Sequence, residues 1–381
     1  MICFSPKQNR RHKKVWRHFL FTLSLPALLI FSGSFSCQRS LTRPFGETAA
    51  PSARVPDYSV IYLIHGDGSY LYHDNEGRAH QSDQEMLVTA RQIAARLSNG
   101  EVFIYYQQPK KRLLWLFPQN DGRFYYYRRG KLIAEKGYRR HPEGAALAPE
   151  AELFRTFGYN PPLETDSISR YLFYFGHSIP EWPGEAYHAS FPQASFTIND
   201  LVKGLRPFLA SAKADRFDIL MLSTCTNGTP GSVAALSPLS RFIIASPGDL
   251  HLSQMSTLPL LDLIDEPRLP AEELAHRLAQ QSFEGLSRRT LTEVTIALYD
   301  TRKTAPFLQQ YGELHQNYSN TELNRSGMEC VDCALLEGFP AAKAGTGVEI
   351  FYKPPRFGKN RKKNSHSGWN CWRPVSQLPG E

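Results

Sequence analysis

Apolar residues in this chain fall in short unbroken runs separated by longer amphipathic stretches. Tyr58–His65 (YSVIYLIH), Glu101–Tyr106, Arg170–Phe175 (RYLFYF), Phe217–Ser223 (FDILMLS), Arg241–Ala245 and Glu293–Tyr299 are each nearly continuous in apolar and β-prone residues. Runs of that length and character predict strands buried on both faces. Between them the period changes. After Asp83, the residues Met86, Leu87, Ala90, Ile93, Ala94 and Leu97 share one helical face, and Asn99-Gly100 closes the helix. Leu201, Leu205, Phe208 and Leu209 do the same over 197–212. Further helices are predicted over 149–157, 231–238, 270–285 and 303–316. Strands alternating with helices predict an α/β fold: a mostly parallel six-stranded sheet flanked by helices, with right-handed crossovers. Residues 111–136 break this rhythm. Leu113–Phe117, Phe124–Tyr127 and Lys131–Ala134 are joined by Asn120-Asp-Gly and Arg129-Gly130, which predicts a small antiparallel meander inserted at an edge.

Charge changes the picture mainly at the two ends. The net charge of the 381 residues is +8, but residues 1–37 hold six Lys/Arg and no acid, and the segment 353–363 holds six more. Those twelve exceed the whole net charge, so the remaining body is acidic, and a nucleic-acid-binding role has no basic face to rest on. At the N-terminus a basic stretch ending at Arg17 precedes a 13-residue apolar run, Phe19 to Phe31. That is short for a membrane span and right for the apolar region of an export signal. Gly33-Ser-Phe-Ser then leads to Cys37. Small residues directly before a Cys resemble the bacterial lipoprotein signal, in which that Cys is lipidated. The expectation is a signal over 1–37, a linker over 38–57, a folded domain over 58–325, and an irregular C-terminal region over 326–381 ending in a basic tail. The protein is thus expected to be exported to the cell envelope and anchored to the membrane through lipid on Cys37.

The C-terminal region holds Cys330, Cys333 and Cys371. In an exported protein this set predicts a disulfide holding the C-terminal tail. A zinc site needs about four ligands, and only His366 stands ready as a fourth, so no metal is expected.

The chemistry concentrates at two strand ends. The run Arg170–Phe175 stops at Gly176-His177-Ser178, and Phe217–Ser223 stops at Thr224-Cys225-Thr-Asn-Gly228. Parallel α/β sheets bind ligands just beyond the carboxyl ends of their strands. A His ending one buried strand and a Cys ending another meet the requirement for a thiolate nucleophile with a base beside it. The turn after Cys225 would aim backbone N–H groups at the same space, and the following helix N-terminus would favour the thiolate. Asp67 and Asp74, after the first strand, are candidates to bind a cation or orient the site. Asp249 and His251, after the fifth, lie where a substrate pocket forms.

On these residues the chain resembles the clostripain-like cysteine peptidases, in the clan whose caspase-like fold is shared by caspases, legumains, gingipains and separases. VIYLIHGDGSYLYHD, YLFYFGHS, FTINDLVKGL, FDILMLSTCTNGTPGSVAALSPLSRFIIASPGDL and EVTIALYDTRKTAPFLQQ carry the resemblance, over about residues 58–316. The resemblance implies Cys225 as nucleophile and His177 as base. It implies oxyanion donors at the amides of Cys225 and Ser178, and a site wall that includes Gly176, Ser223 and Asp249. It implies a peptide or protein substrate and no required cofactor, with calcium the one ion the family suggests. The chain departs from the family where Ser178 follows the His in place of Gly, where Ser223 replaces the acid two residues before the Cys, and where Asn227-Gly228-Thr-Pro230 replaces the small acidic motif after the Cys strand. Those departures leave open a peptidase-like binding protein without activity.

A second reading comes from another class. Leu63-Ile-His-Gly-Asp-Gly68 resembles the oxyanion loop of α/β-hydrolases, and Gly176-His-Ser178-Ile-Pro180 nearly matches the G-x-S-x-G elbow, which would make Ser178 the nucleophile of an esterase.

Overall fold

In the computed structural model, residues 55–374 are described, apart from 75, 111, 114–116, 141–145, 160–167, 184–186, 213, 251–253, 320–327 and 340–345. The signal, Cys37, most of the linker, His251 and the last seven residues lie outside the described residues. Nine strands form one sheet: β1 (Tyr58–His65), β2 (Glu101–Gln107), β3 (Gly122–Arg128), β4 (Lys131–Tyr138), β5 (Ser169–Phe175), β6 (Phe217–Ser223), β7 (Ser240–Ala245), β8 (Val294–Asp300) and β9 (Val348–Lys353). Their order across the sheet is β9-β8-β7-β6-β5-β1-β2-β3-β4. Strands β7, β6, β5, β1 and β2 run parallel; β8 and β9 on one side, and β3 and β4 on the other, are antiparallel additions.

The helices are α1 (Ser82–Arg96), α2 (Ala148–Phe157), α3 (Ile198–Ser211), α4 (Pro230–Leu236), α5 (Ala271–Arg289) and α6 (Thr301–Ser319). They divide between the two faces as the period-2 pattern requires. In β1 the side chains of Tyr58, Val60, Tyr62 and Ile64 join Met86 and Ala90 of α1 and Leu274 and Leu278 of α5. Ile61 and Leu63 point the other way, toward Phe154 of α2, Leu201 and Leu205 of α3, Val233 of α4 and Phe307 of α6. Both faces of the parallel strands are therefore dry, which is why they read as unbroken apolar runs.

The six expected strands are neighbours in the sheet, and three findings extend the expectation. The meander lies at an edge as expected, and its hairpin β3–β4 continues the main sheet from β2. The last of the six, β8, is antiparallel, because it enters from α5 with no crossover back to the other end. The ninth strand comes from the region expected to be irregular, since β9 pairs along the length of β8.

The described part of the C-terminal region is more ordered than expected, and it holds the expected disulfide. Met328–Asp332 and Asn370–Pro374 form a two-stranded antiparallel ribbon. Of the three cysteines there, Cys333 and Cys371 form the disulfide and Cys330 stays out of it. The basic run 353–363 is not a loose tail. Lys353 donates through its ammonium to the carbonyls of Ser287 and Thr290 at the end of α5. Lys363 pairs with Asp332 at 3.2 Å. Trp369 anchors the region with no accessible surface, packed on Tyr299 and Phe307. A disulfide that closes a loop of this size contributes about 2–4 kcal/mol. Replacing Cys333 and Cys371 by serine should therefore lower Tm by roughly 4–8 °C, read by circular dichroism; an unchanged Tm would show that the bond restrains nothing the fold does not already hold.

Candidate active site

The order of the parallel strands reverses at β1. From β1 the chain moves outward to β2, then returns to β5, β6 and β7 on the opposite side. At such a switch point the two connections leave the sheet in opposite directions and open a crevice at the strands' carboxyl ends. His177 follows β5, the strand at this point, and Cys225 follows β6 beside it.

The register sets where the two stand relative to each other. Phe175 pairs with Ser223 in the parallel ladder, so His177 and Cys225 stand two residues past one paired position. Adjacent strands are about 4.8 Å apart. The pairing then continues beyond the sheet at the same offset of 48 residues, carried by side chains. The hydroxyls of Ser178 and Thr226 are 2.7 Å apart. Ile179 donates its N–H to Asn227 Oδ1 at 3.0 Å and accepts from Asn227 Nδ2 at 2.9 Å. The Glu181 carboxylate accepts from the hydroxyl of Thr229, and from Ser232 N–H at 3.1 Å and its hydroxyl at 2.8 Å. The His loop and the Cys loop are zipped together from the sheet edge to the start of α4.

The chain turns sharply once it has passed the thiol. Thr226 has φ of 50°, a conformation that a β-branched residue adopts only under strong constraint. Its N–H donates to Gly248 O at 2.9 Å, and Gly228 N–H donates to Ser246 O at 2.9 Å, which tie the turn to the loop after β7. A Cβ at Gly228 would sit 2.7 Å from the Pro247 nitrogen, so only glycine allows that approach.

Each side chain of the pair has its own setting. The imidazole of His177 stacks on Tyr70 of the loop after β1, with ring centroids 4.5 Å apart and planes at 18°. Burial pushes its pKa below the ordinary value for histidine, and a hydrogen bond with the Ser69 backbone pulls weakly the other way. The ring is therefore held neutral, the form that accepts a proton. Cys225 is 7% exposed. Its thiol donates to Leu250 O at 3.1 Å and accepts from Leu250 N–H at 3.3 Å.

Other residues singled out in the sequence find different places. Gly176 donates its N–H to Ser223 O at 3.4 Å, and a Cβ on it would strike the Tyr187 hydroxyl; its role is close approach. The Ser223 hydroxyl is buried and accepts from Met255 N–H at 2.9 Å, so it faces a packed segment rather than a cleft. Asp249 is exposed, next to the residue that contacts the thiol. Asp67 is buried, paired with Arg140 at 3.1 Å, and accepts from Ser190. Asp74 pairs with Arg78 at 2.6 Å and lies 3.0 Å from His80. Among the described residues no group of three or more His, Cys, Asp or Glu is placed to hold a metal ion. At the N-terminus of α4, Thr229 caps the helix and the Glu181 carboxylate accepts from Ser232 N–H. Asn227 and Glu181 were not legible as site residues. The one signal that could have found them is their place at the same 48-residue offset as the dyad.

Ser178 lacks the setting of a nucleophile elbow. Among the described residues no helix follows it until α3 begins at Ile198, and its hydroxyl is engaged by Thr226. An elbow needs the strand–turn–helix step to lift the serine clear. Ser178→Ala should cost peptide hydrolysis no more than about tenfold, the loss of one hydrogen bond of about 1 kcal/mol; complete loss, measured as kcat, would restore the serine reading.

The chain is similar in structure to solved C11 cysteine proteases. One is a secreted C11 cysteine protease from Bacteroides thetaiotaomicron in complex with an irreversible peptide inhibitor, at 13% identity and a TM-score of 0.48, over 72% of each chain. Another is an inactive zymogen C11 protease from Parabacteroides distasonis, at 13% identity and a TM-score of 0.49, over 86% of this chain and 94% of that one. No protein-family model matches the chain, and no curated protein matches it.

Proposed function

We propose that the protein is a clostripain-like cysteine endopeptidase with Cys225 as nucleophile and His177 as general base. The observation that carries this reading is the ladder register, which makes the two residues neighbours on adjacent strand ends at the switch point. His177 takes the thiol proton, and the thiolate sulfur attacks the carbonyl carbon of a peptide bond. The C–N bond then breaks as His177 returns the proton to the leaving amine. Water, deprotonated by the same imidazole, hydrolyses the thioester and frees Cys225. The amides of Cys225 and Ser178 are the proposed donors to the oxyanion. Asp249, exposed beside the thiol's neighbour Leu250, offers a negative wall to a basic substrate side chain.

One observation favours a second state. The thiol is tied to Leu250 and nearly buried, so turnover requires the sulfur to rotate away or the loop at 246–250 to shift. A form that never makes this change is a peptidase-like binding protein. We further propose that the protein is exported and held at the cell envelope through lipid on Cys37; among the described residues no helix is long and apolar enough to cross a membrane.

The test is labelling with a set of thiol-directed peptidyl inhibitors, followed by mass mapping. Covalent label on Cys225 is expected. Label confined to other cysteines, with peptide hydrolysis undiminished, would sink the assignment; no label and no hydrolysis would favour the inactive form.

A further inference from the structure

We propose that Asn227 is a positioning residue for the dyad, an inference that rests on the Cys225–His177 reading. Asn227 lies two residues after Cys225 and is 1% exposed. Its amide makes three hydrogen bonds. Oδ1 accepts from Ile179 N–H at 3.0 Å and from the Thr224 hydroxyl at 2.6 Å, and Nδ2 donates to Ile179 O at 2.9 Å. The amide can face only this way, because a flipped group would set N–H against N–H and oxygen against oxygen. Side chain and backbone together reproduce the paired N–H···O and C=O···H–N contacts of a sheet ladder, at a point where the ladder has ended.

The consequence is geometric. Ile179 is two residues past His177, so the amide fixes the His loop and the Cys loop to each other at equal distance from both reacting groups. Thr224, on the other side of Cys225, is pinned to the same oxygen. With Ser178 and Thr226 paired beside it, the Thr224 hydroxyl before the thiol and the Ile179 backbone after the imidazole are tied to one buried amide. Burying an amide is costly unless it is satisfied, and here three of its four hydrogen-bonding positions are met by groups that flank the dyad. Displacement of a reacting group by about 1 Å from outside the chemistry costs about 10²-fold in rate.

Asn227→Ala is expected to lower kcat about 10²-fold with KM within about threefold. The rate at which iodoacetamide alkylates Cys225 at pH 6.5 should fall toward that of the His177→Ala variant. Asn227→Ser keeps a hydroxyl for one of the three bonds, should fold where the alanine variant does not, and should fall between. Leu205→Ala, in the core under α3, serves as a control that loses stability without touching either loop; its alkylation profile should match wild type. If wild-type alkylation does not respond to His177→Ala, the dyad itself fails. If it does respond, while folded Asn227 variants keep the wild-type kcat and alkylation rate, the dyad stands and this role for Asn227 is overturned.

Discussion

Cys225→Ala is expected to bring peptide hydrolysis to background while leaving the fold intact. In the proposed reaction the sulfur forms the covalent intermediate, and no other described group stands in its place. Loss of a nucleophile in a concerted set costs on the order of 10⁴–10⁶ in kcat. The structural cost is small by comparison. The substitution removes one sulfur atom and its contacts with Leu250, about 1 kcal/mol for the lost hydrogen bonding. Turnover of a fluorogenic peptide library by wild type and variant at matched concentration measures the first, and thermal unfolding measures the second. Residual hydrolysis within tenfold of wild type would mean that the chemistry runs elsewhere.

A loss of stability in mild acid is the second large effect expected. His366 is buried against the C-terminal ribbon, and burial holds its pKa down at about 4 despite the opposing pull of Asp332. His188, half-buried, is likewise held at about 4, first by burial and then by the Arg140 guanidinium. His65, buried at the end of β1, is pushed below the ordinary value as well, by burial and then by His188 and Arg140. Each of these folded-state pKa values lies below that of the unfolded chain, about 6.5. The unfolded state therefore binds more protons, and stability rises with pH across this window. It is fully present above about pH 6.5 and is lost as pH falls toward 4. At about 1.4 kcal/mol per pKa unit, His366 alone accounts for up to about 3 kcal/mol, and His188 for less because water reaches it. Urea unfolding at pH 7.5, 6.0 and 5.0 reads the trend, and His366→Gln should flatten part of it. A constant unfolding free energy from pH 7.5 to 5.0 would contradict the assignment of these rings as buried and neutral.

The parallel centre of the fold was legible because its strands are dry on both sides, and nothing but a buried strand fits runs such as FDILMLS. The additions at each edge were harder to place. β9 carries Glu349 and is only half-buried, so its apolar content does not stand out from a loop, and its partner β8 lies about 50 residues earlier. The basic run at 353–363 read as a solvated tail because a charge run carries no sign of the carbonyls and carboxylates it meets; Lys353 on the end of α5 and Lys363 on Asp332 appear only when the chain is folded. At the site, His177 and Cys225 could be named from their strand ends. The side chains that hold them could not. Asn227 sits in a Thr-Asn-Gly turn whose composition explains itself locally, and its bonds to Ile179 cross 48 residues. Glu181 lies among prolines, and its partner is a helix start in the other loop. Both become meaningful only once the register of β5 on β6 is known.

The proposed coupling of Cys225 to His177 is tested most directly by the pH dependence of Cys225 alkylation by iodoacetamide, mapped by mass spectrometry, in wild type and His177→Ala. Wild type is expected to react well below the ordinary thiol range near pH 8.5, and His177→Ala to react appreciably only as pH approaches that range. Superimposable profiles for the two proteins would contradict the coupling.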